Sequence, residues 1–207
     1  MIVYLVRHAE YEKRKDATDG ELVSAELSPY GRLQAHAAGK KLKTFGIRKI
    51  FASPITRARE TADIISARTG IPVVVDERLR EFFADPNVRD PLRLKESKKE
   101  ARDNPDRIVS DGESYNAAIA RLESVITEIS STEKGRNVCL VSHRVVIEGF
   151  LARHFHIRED EHEWLAPASI TALSVNGENI DLLFFDKVHN DFPLLFKKLK
   201  RKLFRSY

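Results

Sequence analysis

Two short apolar runs in this sequence each lead directly to a histidine. Residues 2 to 6 are apolar and are followed by Arg7 and His8, and residues 138 to 141 lead through a serine to His143. Apolar runs of this length, without polar alternation, predict strands that are buried on both faces, as in parallel sheets. The carboxyl ends of parallel strands share one edge of the sheet, where ligands bind in α/β folds. The pattern therefore predicts that both histidines face one crevice.

A third apolar segment, residues 50 to 52, predicts a neighbouring strand of the same kind. It ends in Ser53-Pro54, and the residues from 56 to 69 then have the pattern of a helix that stops at Gly70. Arg57 falls in the first turn of this helix. The same edge of the sheet is thus predicted to carry a second arginine.

The rest of the chain continues the alternation of strands and helices. Further helices are predicted at residues 29–45, 113–131 and 145–155, and further strands at 73–75, 172–175 and 181–185, with a turn at Asn176-Gly177. This order predicts an α/β fold, a three-layer α/β/α sandwich with a mainly parallel sheet. Residues 84–112 are rich in proline and charge, with a helical stretch between Pro91 and Asp103, and are predicted to form a small cap insertion over the crevice. We expect one domain over residues 1–191, followed by a tail at 192–207.

The charge of the chain is unevenly distributed. Of the 35 Lys and Arg residues, six lie in the tail, which has no acidic residue, so the remainder carries 29 basic against 31 acidic side chains. A nucleic-acid surface across the domain is therefore not expected. The sequence begins with a strand rather than a signal peptide and has no apolar run of membrane-spanning length, so a cytoplasmic protein is expected. The single cysteine, Cys139, excludes an internal disulfide and is expected in the core.

The tail places apolar side chains among its basic ones, which predicts an amphipathic helix. Two arrangements remain open for it. The apolar side either packs on the domain, or contacts an anionic membrane or a partner.

Six short blocks occur in order along this sequence: Arg7-His8-Ala9-Glu10, Leu27-Ser28 through Gly31 to Gln34-Ala35, Ser53-Pro54 through Arg57 to Thr61-Ala62, Leu79-Arg80-Glu81, Gly112-Glu113-Ser114 and Val141-Ser142-His143. Together they resemble the signature of the histidine phosphatase superfamily, which includes cofactor-dependent phosphoglycerate mutase. Two positions depart from the family pattern. Ala9 and Arg144 both stand where the family commonly has glycine, and Arg144 is either a third phosphate ligand or a residue that narrows the pocket.

Phosphoryl transfer needs fixed positive charge around the phosphoryl oxygens and a proton for the leaving group. Arg7 and Arg57 suit the first need, because a guanidinium is permanently charged and presents a fork of donors. His8, if neutral, can attack phosphorus. The resemblance implies that His8 becomes a phosphohistidine and that His143 donates to the transferred oxygens.

The resemblance also implies that Glu81 protonates the leaving group and then activates water. A carboxyl group in this role has to be protonated near neutral pH, which an apolar wall favours, and Phe82 and Phe83 are expected to supply that wall. Glu10 and Glu113 remain rival carboxylates. Gly112-Glu113-Ser114 also fits a helix start.

The expected function is hydrolysis of a small phosphorylated molecule, without metal or cofactor. A phosphoglycerate mutase is the alternative enzyme, but mutases carry Trp and Asn soon after the first block and Arg-His-Tyr-Gly after the acid, and neither occurs here. A binding member with little turnover is the third alternative, which the presence of all five expected catalytic residues disfavours. A histidine and acid cluster at residues 154–163 lacks a recognised metal-ligand spacing.

Overall fold

The computed structural model describes residues 1–13, 17–110, 112–157 and 165–187. Short 3₁₀ turns lie at Glu21–Ser24 and Glu77–Leu79. The regular elements are β1 (Ile2–Arg7), α1 (Pro29–Thr44), β2 (Ile47–Ala52), α2 (Thr56–Thr69), β3 (Val73–Val75), α3 (Pro91–Asp103), α4 (Tyr115–Thr132), β4 (Asn137–Ser142), α5 (Arg144–Phe155), β5 (Ile170–Asn176) and β6 (Asn179–Lys187).

One six-stranded sheet organises these elements, in the order β3-β2-β4-β1-β5-β6. β1, β2, β3 and β4 pair in parallel, whereas β5 is antiparallel to both β1 and β6. The predicted α/β class with a mainly parallel sheet is confirmed. β5 and β6 form the predicted hairpin, and Gly177 in its turn has a φ of +61°.

Both faces of the sheet are covered by helices, as a three-layer sandwich requires. Val3 and Leu5 of β1 pack on one face with α4 and α5, while Tyr4 and Val6 pack on the other with α1 and α2. Successive side chains of a strand point to opposite faces, so an uninterrupted apolar run fits a strand that is covered on both. Cys139 in β4 is fully buried, as expected.

Local signals in the sequence set the ends of the helices. The Ser28 hydroxyl caps α1 by accepting from the Gly31 amide, and Pro29 takes the first helical position, where its missing N–H costs nothing. Gly70 ends α2 in the left-handed conformation, as predicted. The Ser114 hydroxyl caps α4 by accepting from the Ala117 amide.

Residues 84–110 contain α3 and contact the segment that follows β1. The Gly20 amide donates to the Pro86 carbonyl at 2.9 Å, and Lys98 pairs with Asp19 at 2.7 Å. The predicted tail at 192–207 lies outside the described residues. Among the helices of the described part of the chain, none has the length and apolar character needed to cross a membrane.

Candidate active site

The ends of three adjacent strands bring the predicted site residues together. β4 lies between β1 and β2, so His8, Ser53 and His143 follow neighbouring strands. The His8 amide donates to the Ser142 carbonyl at 2.9 Å, and the Ser53 amide donates to the Val141 carbonyl at 3.0 Å. These backbone bonds continue the parallel pairing past the strand ends and fix the three side chains at one edge.

His8 is buried and is held in a neutral form. Its Nδ1 donates to the Ala9 carbonyl at 2.8 Å, and its Nε2 accepts from Arg57 Nε at 3.2 Å. Because Nε2 acts as an acceptor, the ring proton lies on Nδ1. Burial, followed by repulsion from Arg57 and Arg7, holds the pKa of His8 well below its usual value of 6.5. His8 is therefore neutral at neutral pH, and its Nε2 lone pair is directed at Arg57.

His143 lies directly beside His8, with 5.1 Å between the ring centroids. Its Nε2 is 2.8 Å from the Ser53 hydroxyl, which also accepts from the Ile55 amide. Within the described residues Nδ1 has no hydrogen-bond partner. Burial, and then the charge of Arg57, lower the pKa of His143 well below 6.5.

The two predicted arginines are fixed by backbone carbonyls and by an aromatic ring. Arg57 donates from Nη1 to the Leu22 carbonyl at 3.0 Å, and its guanidinium lies over the Tyr11 ring, 4.8 Å from the centroid. Arg7 donates from Nη1 to the Leu165 carbonyl. Both guanidinium groups are therefore held in place at the site before an anion binds.

A cavity of about 410 Å³ opens beside these residues. His143 is fully buried and does not line it, whereas Arg144 and Val145 do so from the start of α5. Apolar side chains supply much of the remaining wall. The described charged residues of the lining are Arg7, Lys13, Asp19, Arg57, Glu81, Arg89, Lys98 and Arg144.

The structure separates the three carboxylates that the sequence left as rivals. Glu81 lines the cavity and accepts from the Phe82 amide at 2.9 Å. Glu10 accepts from the Ser28 hydroxyl at 3.0 Å, and Glu113 forms a two-point ion pair with Arg121 at 2.6 and 3.0 Å. Neither Glu10 nor Glu113 is part of the lining.

The expected apolar wall from Phe82 and Phe83 is only half right. Phe83 lines the cavity, but Phe82 points into the core and packs edge-on against Tyr115, with 5.3 Å between the centroids. The segment after Glu81 is neither strand nor helix. Its side chains therefore follow no regular alternation, and the sequence could not show which of the two phenylalanines faces the cavity.

Sequence reasoning missed several residues of the cavity. Tyr11 contacts both Arg57 and His8, the latter edge-on with 5.3 Å between the centroids. Asp19 is a second carboxylate of the lining and is paired with Lys98. Tyr11 and Asp19 both lie in the polar segment after the first block, where the sequence has no recognisable motif and no hydrophobic periodicity.

The two departures from the family pattern are readily accommodated. Among the described residues, the non-glycine positions with positive φ are Ser110, His156 and Ala168, so alanine at position 9 needs no left-handed backbone. The Ala9 amide donates to the Thr61 hydroxyl at 3.0 Å. Arg144 forms part of the cavity wall.

The histidine and acid cluster of the sequence is only partly described. His154 pairs with Glu123 at 2.9 Å, and residues 158–164, which include most of the cluster, lie outside the described chain. In the ranges that the structure covers, no group of three or more potential ligands could hold a metal ion.

Comparisons with known proteins identify the family of this chain. It is 29% identical over 153 residues to a probable phosphoglycerate mutase GpmB of Klebsiella pneumoniae, covering 70% of each chain, and 27% identical over 195 residues to a putative phosphoserine phosphatase 2 of Hydrogenobacter thermophilus, covering 90% and 95%. A mycobacterial glucosyl-3-phosphoglycerate phosphatase in complex with VO3 superposes with a TM-score of 0.74 at 25% identity, covering 89% of this chain and 98% of that one. The sequence model of the histidine phosphatase superfamily (branch 1) matches residues 3–187, and the chain belongs to this superfamily.

Proposed function

We propose that this protein is a phosphatase that hydrolyses a small phosphomonoester through a phosphohistidine on His8. The observation that carries the proposal is the state of His8. It is buried, neutral and oriented by Ala9, and its Nε2 accepts a hydrogen bond from Arg57 at the edge of a cavity that Arg7 also lines. A histidine nucleophile for phosphoryl transfer needs this combination of a neutral ring and nearby positive charge.

In the first step, Arg7 and Arg57 bind the phosphoryl oxygens, and Arg57 Nε exchanges its hydrogen bond to His8 Nε2 for one to a phosphoryl oxygen, which frees the Nε2 lone pair. Nε2 then attacks phosphorus in line with the ester oxygen, the P–O bond breaks, and Glu81 gives its proton to the departing oxygen. We assign to His143 a hydrogen bond to a phosphoryl oxygen; because its ring lies behind the cavity wall beside His8, this contact forms as the phosphoryl group moves onto His8. Arg144 supplies further positive charge at the wall. These positive groups stabilise the negative charge that spreads over the phosphoryl oxygens in the transition state.

In the second step, Glu81 is a carboxylate and can act as a base. It takes a proton from water as the oxygen attacks the phosphohistidine, the P–N bond breaks, and inorganic phosphate and neutral His8 are released. Glu81 is protonated again at the end, so that one residue serves as acid and then as base.

Hydrolysis is favoured over mutase activity by the residues at two positions of the cavity. Tyr11 directly follows the first block and Phe83 is the second residue after Glu81, where mutases carry other residues, and both line the wall. The relatives named above include proteins described as mutases and as phosphatases, so the family alone leaves both reactions open. A phosphorylated small molecule is the proposed substrate, and the specificity lies in the cap and the segment after β1.

The decisive experiment traps the intermediate. Glu81→Gln should still bind phosphate and should be phosphorylated by p-nitrophenyl phosphate, whose leaving group needs little help from a proton, whereas hydrolysis of the intermediate should be impaired. We expect an acid-labile, alkali-stable phosphoenzyme whose label maps to the peptide with His8. His8→Ala should lose turnover on every substrate, by roughly a thousandfold or more. A label on Ser142 or His143 would refute the proposal.

A further inference from the structure

Four successive carbonyls of the segment that carries Glu81 accept hydrogen bonds from side chains elsewhere in the chain. Arg121 Nη1 donates to the carbonyls of Arg78 at 2.6 Å and Arg80 at 3.2 Å, and Arg121 Nη2 approaches that of Glu81 at 3.5 Å. The Leu79 carbonyl accepts from the Ser142 hydroxyl at 2.8 Å. The path of this irregular segment is therefore determined by contacts from α4 and from the end of β4.

Glu113 fixes the orientation of the Arg121 guanidinium. Arg121 Nε donates to Glu113 Oε2 at 3.0 Å, and Nη2 donates to Oε1 at 2.6 Å. The two side chains are only 15% and 17% exposed, which limits screening of the pair by solvent. All three nitrogens of the guanidinium are engaged, two with the carboxylate and two with carbonyls. Lysine, with a single nitrogen and no planar fork, cannot reproduce this arrangement.

We propose that Arg121 is a positioning residue for the proton donor: it fixes the backbone at residues 78–81 and thereby the reach of the Glu81 carboxyl into the cavity. The inference rests on the proposed function, in which Glu81 is the acid and base. It also gives Glu113 a role, that of orienting Arg121.

Positioning of this kind should affect one chemical step more than the others. Proton transfer requires the carboxyl within hydrogen-bond reach of the leaving oxygen, and a shift of about 1 Å can cost roughly a hundredfold in rate. Binding of the phosphoryl group depends on Arg7 and Arg57, which Arg121 does not contact in any described hydrogen bond. Loss of Arg121 should therefore slow the protonation step and leave phosphate affinity unchanged.

The test compares leaving groups in Arg121→Gln and in the gentler Arg121→Lys. For an alkyl phosphate, which needs protonation, we expect kcat/KM to fall at least tenfold more than for p-nitrophenyl phosphate, with the inhibition constant of inorganic phosphate within twofold of the wild type. Glu113→Gln should show the same pattern more weakly. The matched control is Arg153→Gln, because Arg153 also pairs with a glutamate of α4, Glu123, at 3.2 Å but does not contact residues 78–81.

A double variant separates a positioning role from a general structural one. In the Glu81→Gln background, Arg121→Lys should cause no further loss on the alkyl phosphate, because its effect acts through Glu81. If the rate losses of Glu81→Gln and Arg121→Lys multiply in the double variant, the inference is overturned. The same holds if each Arg121 single variant loses equal rate on both leaving groups. In either case a trapped phosphohistidine would still support the proposed function. If Glu81→Gln itself shows no leaving-group preference, the acid assignment falls, and the role of Arg121 falls with it.

Discussion

Acid should weaken the fold through the two histidines of the site. Burial and the neighbouring arginines hold the pKa values of His8 and His143 well below 6.5 in the folded protein. In the unfolded chain both rings take up protons near pH 6.5. The unfolded state therefore binds more protons in the window from pH 6.5 down to the folded-state pKa, and the free energy of unfolding falls as pH falls through that window. Above pH 6.5 the contribution is complete.

The size of the effect follows from the near-complete burial of both rings, which are 3% and 0% exposed. A ring that is neutral when folded and charged when unfolded contributes a slope of at most about 1.4 kcal/mol per pH unit, and two such rings contribute about twice that. A domain of this kind is typically stable by only about 5–15 kcal/mol. Lowering the pH by one unit within this window should therefore remove a substantial share of the free energy of unfolding.

The assay is urea unfolding at intervals between pH 7 and pH 5, with the slope of the free energy against pH as the readout. His8→Gln combined with His143→Gln should flatten this slope, whatever the variant does to the stability at pH 7. The control is His156→Asn, because His156 is exposed and asparagine tolerates its φ of +54°. Its slope should match the wild type. An unchanged slope in the double variant would refute the reasoning.

Three further outcomes are expected. Activity should survive EDTA, since fixed arginines supply the positive charge; loss on chelation, restored by added metal, would contradict this. With 3-phosphoglycerate and catalytic 2,3-bisphosphoglycerate, free phosphate should exceed 2-phosphoglycerate, and rapid interconversion would instead indicate a mutase. Tyr11→Leu should weaken inhibition by phosphate roughly two- to thirty-fold, corresponding to a cation–π contact of about 0.5–2 kcal/mol with Arg57, whereas Tyr11→Phe should not; equal inhibition constants would exclude that contact as a determinant.

The parts of the fold that the sequence predicts are those with strong local signals. The buried strands β1 and β4 are apolar along most of their length, and α1 starts with a serine cap and a proline. Parallel pairing then brings Arg7, His8 and His143 to one edge, because the carboxyl ends of such strands coincide. The placement of these residues could therefore be predicted before any packing was known.

Residues that act through irregular backbone had no such signal. Arg121 is a single arginine on a helix, and its partners are carbonyls some 40 positions away, which leave no trace in residue type. The choice between Glu10, Glu81 and Glu113 likewise depended on which carboxylate lines the cavity in the folded chain. Each of the three carboxylates is chemically suited to be the proton donor or to form a structural ion pair. Packing therefore decides which role each one takes.

The burial of Cys139 gives the protein an internal reporter of ligand binding. This residue, the one cysteine of the chain, pairs across the sheet with Tyr4 of β1 and Ile50 of β2, and burial raises the pKa of its thiol. A thiol reagent therefore modifies only molecules whose central sheet has opened. A phosphorylated compound that binds the folded protein lowers that population and slows labelling. Candidate substrates can thus be ranked by protection of Cys139 in His8→Ala, where turnover no longer consumes them.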